Sequence, residues 1–266
     1  MNINADRWSI LLRSDREFLS DVVANITGWL DPYAALRTID LLNHQENQDI
    51  KGSLLEIGIF KGKYFSLLVR SAARTSECVV GLDTFDYVDK NTFQEQFAQR
   101  FSPDSLAAVA PSGLNLKLVE SASSSMSATS LRQILASEAR FISIDGSHEY
   151  DDVMLDLRLA DDILGPGGII AADDYLNPIS LGVTAAIDRF IDTNHTIVPF
   201  AYVSNKLFLC RSAWADRYRS VLHDAILADN GTEEPKSAAY QNNFNAGAWR
   251  NIEARYRGFR ILTVRL

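Results

Sequence analysis

The feature that most constrains the fold is a regular alternation of short apolar runs with helix-like segments from Ser53 onwards. The apolar runs predict buried strands, and the segments between them space apolar residues three or four apart, as on one face of a helix. Such alternation predicts an α/β fold, with a mostly parallel sheet covered by helices on both faces. The predicted strands are 53–58, 78–83, 116–119, 141–145, 169–172, 196–203 and 206–210.

The last two of these strands, 196–203 and 206–210, are separated by only a short turn. A turn this short forces antiparallel pairing, so one antiparallel strand is expected near the end of the sheet. The polar stretch 229–246 is predicted to be a loop, and 259–264 is a final strand candidate. This candidate has two interpretations, pairing with the sheet or with another subunit, so a homo-oligomer stays open.

The chain divides into three predicted segments. Residues 1–48 form an N-terminal helical segment, in which Ser14 and Glu17 have the spacing of a capping box. Residues 49–212 form the core, and residues 213–266 a C-terminal helix and tail.

Charge and cysteine content narrow the classes of function. The 34 acidic and 26 basic residues give a net charge of −8, whereas nucleic-acid binding usually needs a basic surface. Cys78 and Cys210 are too few for a disulfide framework or a zinc site. No run approaches the ~20 apolar residues of a membrane span, and Met1–Trp8 lacks a signal-peptide pattern. We therefore expect a cytoplasmic protein with neither nucleic-acid nor membrane partners.

The first predicted strand ends in a glycine turn that suits a cofactor, because ligands of open α/β sheets bind beyond the carboxyl ends of the strands. A dinucleotide turn needs the pattern G-x-G-x-x-G, but here Gly58 and Gly62 give G-x-x-x-G, and Glu56 would repel a pyrophosphate. A cationic sulfonium cofactor would be attracted to Glu56. Asp83, at the end of the next strand, suits the ribose of either cofactor. Tight strand–helix packing is the alternative interpretation of the two glycines.

Acidic residues also follow two later strands. Asp145 ends one of them, and Asp173 and Asp174 end the other. Converging carboxylates repel one another unless a cation neutralises them, and Mg²⁺ prefers oxygen ligands. His148, three residues after Asp145, is placed to take a proton from a hydroxyl at the same site. All of the net charge lies in this region, since nine acids and one base fall between Asp145 and Asp174.

Over roughly residues 53–211 the sequence resembles the class I S-adenosylmethionine-dependent methyltransferases. More narrowly, it is similar to the metal-dependent O-methyltransferases of the macrocin and mycinamicin sugar type. The motifs that carry this resemblance, in order, are Leu55–Gly62, Gly81–Phe85, Ile144–Tyr150, Leu164–Gly168, Asp173–Tyr175 and Asn205–Cys210.

The resemblance implies a Rossmann-like, seven-stranded sheet with its last strand antiparallel. It implies S-adenosylmethionine and Mg²⁺ as cofactors, with His148 as the general base. It implies that Glu56 and Gly58 line S-adenosylmethionine, that Asp83 holds its ribose, and that Asp145, Asp173 and Asp174 bind Mg²⁺. Gly62 in the glycine turn and Ser121 after the third strand are the other predicted cofactor-binding residues. The sequence departs from the family where Glu120 and Ser121 follow the third strand, without the usual aspartate near the adenine.

These observations together predict an O-methyltransferase acting on a small hydroxylated molecule, such as a sugar or a glycosylated natural product. A nicotinamide-dependent oxidoreductase and a non-catalytic binding module on the same fold are the two alternatives. The region 86–112, with Phe93, Phe97 and Phe101, is predicted to be either a lid over the substrate or part of the core.

Overall fold

The computed structural model describes residues 14–100, 114–246 and 254–264. Within these ranges nine strands form one sheet. They are β1 (Ser53–Ile57), β2 (Cys78–Asp83), β3 (Asn115–Glu120), β4 (Ala139–Ile144), β5 (Leu164–Ala172), β6 (Ile197–Val203), β7 (Lys206–Arg211), β8 (Ala254–Tyr256) and β9 (Phe259–Val264). Their order across the sheet is β3-β2-β1-β4-β5-β7-β6-β9-β8.

The helices of the described residues alternate with these strands and extend beyond them at both ends. They are α1 (Asp15–Asp21), α2 (Pro32–Asn47), α3 (Phe65–Thr75), α4 (Lys90–Arg100), α5 (Ala128–Leu135), α6 (Tyr150–Ile163), α7 (Leu181–Thr193), α8 (Ser212–Ala228) and α9 (Pro235–Asn245). Ser14 caps α1 in the predicted capping box, because its backbone N–H donates to Glu17 Oε2 (2.9 Å) and its hydroxyl accepts from Glu17 N (3.4 Å).

Among the described helices, none combines the length and the apolar character needed to cross a membrane.

The central strands are buried on both faces, and successive residues enter two different cores. Leu54 and Phe141 point to one core, which is completed by α1, α2, α3, α4, α8 and α9. Leu55 and Ile142 point to the other, which is completed by α5, α6 and α7. This alternation follows from the two-residue period of a strand, and it confirms the predicted α/β architecture with helices on both faces.

The predicted antiparallel strand is also confirmed. It is β7, which runs antiparallel to both β5 and β6. The expectation of seven strands was too low, because β9 adds to β6 in parallel and β8 pairs with β9 in antiparallel fashion. The final strand candidate therefore extends the sheet of its own chain.

The prediction of a loop over 229–246 was wrong in part, since α9 occupies Pro235–Asn245. Proline is favourable in the first turn of a helix, and this polar helix packs through few residues, notably Ser237 and Tyr240, which are both buried.

Two phenylalanines of the predicted lid region belong to the core. Phe93 and Phe97 are buried and stacked on each other, whereas Phe101 lies outside the described residues, as do residues 1–13.

The carboxyl ends of four adjacent strands, β2, β1, β4 and β5, are joined by backbone hydrogen bonds beyond the strands themselves. The N–H of Gly58, just after β1, donates to Leu82 O (2.8 Å). The N–H of Asp145, just after β4, donates to Ile57 O (2.9 Å). The N–H of Asp173, just after β5, donates to Ile144 O (3.0 Å). These bonds fix three of the predicted site residues side by side at one edge of the sheet.

Gly58 provides a stability test with a matched control. Its φ is +82°, and a Cβ there would lie 2.1 Å from the Asp145 carbonyl oxygen. Gly258 has almost the same φ, +85°, but has no atom within 4 Å of a Cβ. We expect Gly58→Ala to lower the free energy of unfolding in urea by about 3 kcal/mol or more, and Gly258→Ala by only about 1 kcal/mol. Equal losses for the two variants would contradict the close approach.

Candidate active site

The glycine turn and the end of β4 are in direct contact. Only a residue without a Cβ fits at Gly58, as its approach to the Asp145 carbonyl requires. At Gly62 a Cβ would lie 3.0 Å from the ring of Phe93, so the packing interpretation holds for this glycine. The turn therefore lies against the segment that begins with Asp145, and the cofactor role of both glycines stays a prediction.

Asp83 holds the glycine turn in place through its carboxylate. Its Oδ2 accepts from Ile59 N (2.7 Å) and Phe60 N (2.9 Å), and its Oδ1 accepts from Phe85 N (2.7 Å). Its carbonyl oxygen accepts from Ser121 N (2.9 Å), which ties the turn after β3 to the same position. The two residues lie at the predicted cofactor edge, while contact with a ribose or an adenine stays a prediction for each.

Lys206 is a buried cation beneath this edge that the sequence analysis left out of the site. It opens β7, and because Leu207 pairs with Ala172 in the antiparallel register, Lys206 comes to lie beside Asp173. Lys206 Nζ is 2.8 Å from Asp173 Oδ2 and 4.3 Å from the centre of the Tyr64 ring. Both charged residues are buried. A lysine opening an otherwise apolar strand next to a strand ending in aspartate was the available signal.

Burial changes the ionisation of the groups around Lys206. Glu56 is fully buried, and this raises its pKa to about 8, although Lys206 and the Ser143 hydroxyl partly offset the effect. Burial and the adjacent charge of Asp173 raise the pKa of Asp145 well above its usual range. Burial acts to lower the pKa of Lys206, but the charges of Asp173 and Asp145 outweigh it and raise that pKa. The lysine is therefore charged, and it faces carboxyl groups of which Glu56 retains its proton below about pH 8.

Asp145, His148 and Asp174 form the group of side chains best placed for a metal among the described residues. Their ligand atoms all lie within 4.8 Å of one another. His148 Nε2 is 2.9 Å from Asp174 Oδ2, and its Nδ1 is 3.3 Å from Ser180 Oγ. Carboxylate oxygens with an imidazole nitrogen suit several divalent cations. Two of the three predicted metal ligands are thus brought together, but with His148 beside them.

Asp173, the third predicted metal ligand, occupies a different position. Its Oδ2 contacts Lys206, while its Oδ1 is buried and has no hydrogen-bond partner among the described residues. It still lines the small cavity that Asp145, His148 and Asp174 share. Its assignment as a metal ligand stays a prediction, and the contact shown is the one with Lys206. Ser180, which contacts His148, was also missed, because nothing in the spacing links two residues 32 positions apart.

Comparisons with known proteins find a methyltransferase domain and similar folds. Residues 55–175 match the protein family described as Methyltransferase domain. No curated protein sequence matches the chain significantly. Among solved structures, CalS11, a TDP-rhamnose 3'-O-methyltransferase of calicheamicin biosynthesis, is 18% identical, with a TM-score of 0.52 over 78% of this chain and 91% of that one.

Two further solved structures are similar to this chain. The O-methyltransferase NovP is 13% identical, with a TM-score of 0.52 over 67% of this chain and 80% of that one. Cofactor-bound Rv0187 from MTB is 14% identical, with a TM-score of 0.51 over 79% of this chain and 95% of that one. At these identities the likeness is one of fold. The fold is that of the Rossmann-like methyltransferases, and it contains a segment, 55–175, that matches a methyltransferase domain.

Removing the buried cation tests its role in stability. Lys206→Met leaves Asp173 buried without its partner, which should lower the free energy of unfolding in urea by about 3–5 kcal/mol. The double variant Lys206→Met/Asp173→Asn should lose less than the sum of the two single changes. Lys61→Met is the control, because this lysine also lies over a ring, that of Phe60, and should cost at most about 1 kcal/mol. Additive losses at Lys206 and Asp173 would contradict the pairing.

The raised pKa of Glu56 predicts a pH dependence of stability. The folded state keeps a proton up to about pH 8, whereas an unfolded glutamate releases it near pH 4.5. The free energy of unfolding should therefore fall as pH rises between these values, by up to about 1.4 kcal/mol per pH unit. Glu56→Gln should remove this contribution, and Glu120→Gln, an exposed strand-end control, should not. Parallel pH profiles for wild type and Glu56→Gln would contradict the assignment.

Proposed function

We propose that the protein is an S-adenosylmethionine-dependent O-methyltransferase that uses a divalent cation and methylates a hydroxyl of a small molecule. The observation that carries the proposal is the contact between the turn at Gly58 and the segment starting at Asp145. This contact puts a candidate cofactor turn next to the group formed by Asp145, His148 and Asp174. The similarity in fold to CalS11 and NovP, which are O-methyltransferases, supports the same reaction class.

The cofactor assignment rests on charge and on the shape of the turn. The turn lacks the dinucleotide pattern that a pyrophosphate needs, whereas the sulfonium and amino groups of S-adenosylmethionine suit an edge lined by carboxyl groups. Glu56 Oε2 is buried and has no hydrogen-bond partner among the described residues. An unpaired buried oxygen of this kind is costly without a ligand. Glu56, Gly58 and Asp83 would therefore hold the cofactor, with Gly62 and Ser121 bracing the turns beside it.

The metal assignment rests on the chemistry of the donors. Asp145 and Asp174 would hold the cation through carboxylate oxygens, while His148, the third member of this group, keeps its basic nitrogen for the acceptor. Asp173 would take part only if its contact with Lys206 loosens, because Lys206 already neutralises it. S-adenosylmethionine supplies an electrophilic methyl group, and the cation supplies Lewis acidity toward the acceptor hydroxyl.

His148 is the proposed general base. In the tautomer whose Nδ1–H donates to Ser180 Oγ, Nε2 carries the lone pair and would take the hydroxyl proton in place of its contact with Asp174 Oδ2. The imidazolium that forms is stabilised by Asp174 Oδ2, 2.9 Å away. The His148 side chain is half exposed, so an acceptor can reach the imidazole from solvent. We propose a sugar or a glycosylated natural product as that acceptor, in line with the family resemblance.

Calorimetry tests cofactor and metal together. Wild-type protein should bind S-adenosylmethionine and Mg²⁺, and Asp145→Ala should lose the Mg²⁺ signal while retaining S-adenosylmethionine. Asp151→Ala, an exposed acid from the same acidic stretch, is the control and should keep both signals. A wild type that binds NADH and not S-adenosylmethionine would overturn the proposal, and Mg²⁺ binding unchanged by Asp145→Ala would overturn the metal site.

The base assignment is tested separately. His148→Ala should lower methyl transfer by roughly 10²–10⁴-fold and leave S-adenosylmethionine affinity unchanged, as measured by calorimetry. His195→Ala, in the turn after α7, should leave both quantities unchanged. Full turnover by His148→Ala would remove His148 from the reaction.

A further inference from the structure

Large apolar side chains stand exposed on the two segments that carry His148 and its contact Ser180. They are Tyr150, Leu176, Ile179 and Leu181, with Ile179 at 88% and Leu181 at 69% exposure. We call these four residues the apolar collar. They make up four of the seven large apolar side chains that are exposed among the described residues. Exposed apolar groups gathered in one place mark a binding surface, whereas single ones need no explanation.

The residues of the apolar collar are close in sequence to His148, Asp174 and Ser180. Ser180, whose hydroxyl is 3.3 Å from His148 Nδ1, lies between Ile179 and Leu181 in the chain. Leu176 comes two residues after Asp174, and Tyr150 comes two residues after His148. Each of the four residues therefore lies within two positions of a residue of the proposed site or of Ser180.

The segment that carries most of the collar is held in one conformation. Asn177 Nδ2 donates to Asp174 Oδ1 (2.7 Å), and Leu176 N donates to Thr184 Oγ1 (2.9 Å). Ser180 N donates to Asn177 O (3.0 Å). Leu176 has a φ of +62°, a conformation that costs free energy for a bulky residue and is retained where the surrounding structure imposes it. The hydrogen bonds of the turn after β5 thus hold Leu176, Ile179 and Leu181 in exposed positions.

The charge near the collar is negative. Glu149 and Asp151 are exposed beside Tyr150, and they belong to the stretch from Asp145 to Asp174 that carries the net charge of the chain. An anionic group of a ligand would be repelled by these carboxylates. An uncharged apolar group would instead gain by covering the collar.

We propose that the acceptor carries an uncharged apolar body next to its hydroxyl, and that the apolar collar binds this body. The acceptor is thereby distinguished from a nucleotide-linked sugar, whose diphosphate would meet the acidic surface. This inference rests on the proposed function, because it takes His148 as the point where the hydroxyl lies. A second copy of the chain seated on the collar would bury His148, so it is an outcome of the test below.

Alkyl glucosides of one head group and increasing tail length test the collar. Methyl, butyl and hexyl β-glucoside are titrated into the full-length protein by calorimetry, with and without S-adenosylhomocysteine. Full burial of one methylene tightens binding by about fourfold, so the hexyl compound should bind at least roughly tenfold more tightly than the methyl one. Thymidine diphosphate glucose should bind more weakly than the hexyl compound.

The double variant Ile179→Ser/Leu181→Ser should reduce the tail-length effect to below about threefold. Phe244→Ser is the control, because Phe244 is another exposed apolar residue but lies on α9, and it should keep the full effect. A flat series, an equal effect in the double variant, or tighter binding of the nucleotide sugar would overturn the inference. So would a wild-type dimer that the double variant dissociates in sedimentation.

The same titrations separate this inference from the proposed function. Binding of S-adenosylhomocysteine with a flat alkyl series would overturn the collar and leave the methyltransferase proposal standing. Failure to bind S-adenosylhomocysteine, with the tail-length effect intact, would overturn the proposed function and leave an apolar binding site at the collar.

Discussion

The carboxyl edge of the sheet depends on the buried ion pair between Lys206 and Asp173. Carboxyl groups from the ends of three strands converge there, and like charges at such distances oppose folding. Lys206 Nζ lies 2.8 Å from Asp173 Oδ2 in the sheet interior, and burial keeps Glu56 protonated up to about pH 8. One internal cation and one retained proton thus offset much of the charge, so these carboxyl groups can lie together without a bound metal.

The ion pair also separates the acids by role. Asp173 is turned to Lys206, while Asp174, in a left-handed conformation with φ of +55°, is turned to His148. Of these two adjacent residues, Asp173 therefore pairs with a buried lysine, and Asp174 contacts the half-exposed His148. Asp145 takes part in both arrangements. It belongs to the candidate metal-binding group with His148 and Asp174, and its charge helps to raise the pKa of Lys206. Stability and the proposed chemistry meet at this one edge.

Much of the fold was predictable, because the spacing of apolar residues along a short stretch of sequence shows which face of a strand or helix is buried. The strands up to β7, the antiparallel β7 and the capping box at Ser14 follow from short patterns. The joining of β9 to β6 and the helix at Pro235–Asn245 were not predictable, because both depend on distant partners rather than on local periodicity. The site followed the same division. Strand-end acids were visible in the sequence, but the pairing of Asp173 with Lys206 is set by strand register, and that of His148 with Ser180 by the packing of a distant turn.

The central claim is that the glycine turn and the His148 group form one site for methyl transfer. It is tested most directly by nuclear Overhauser spectroscopy on the protein bound to S-adenosylmethionine with a ¹³C-labelled methyl group. The account predicts a contact between the labelled methyl protons and the imidazole protons of His148, assigned by its loss in His148→Ala. A bound cofactor whose methyl group contacts other side chains and never the His148 ring would contradict it.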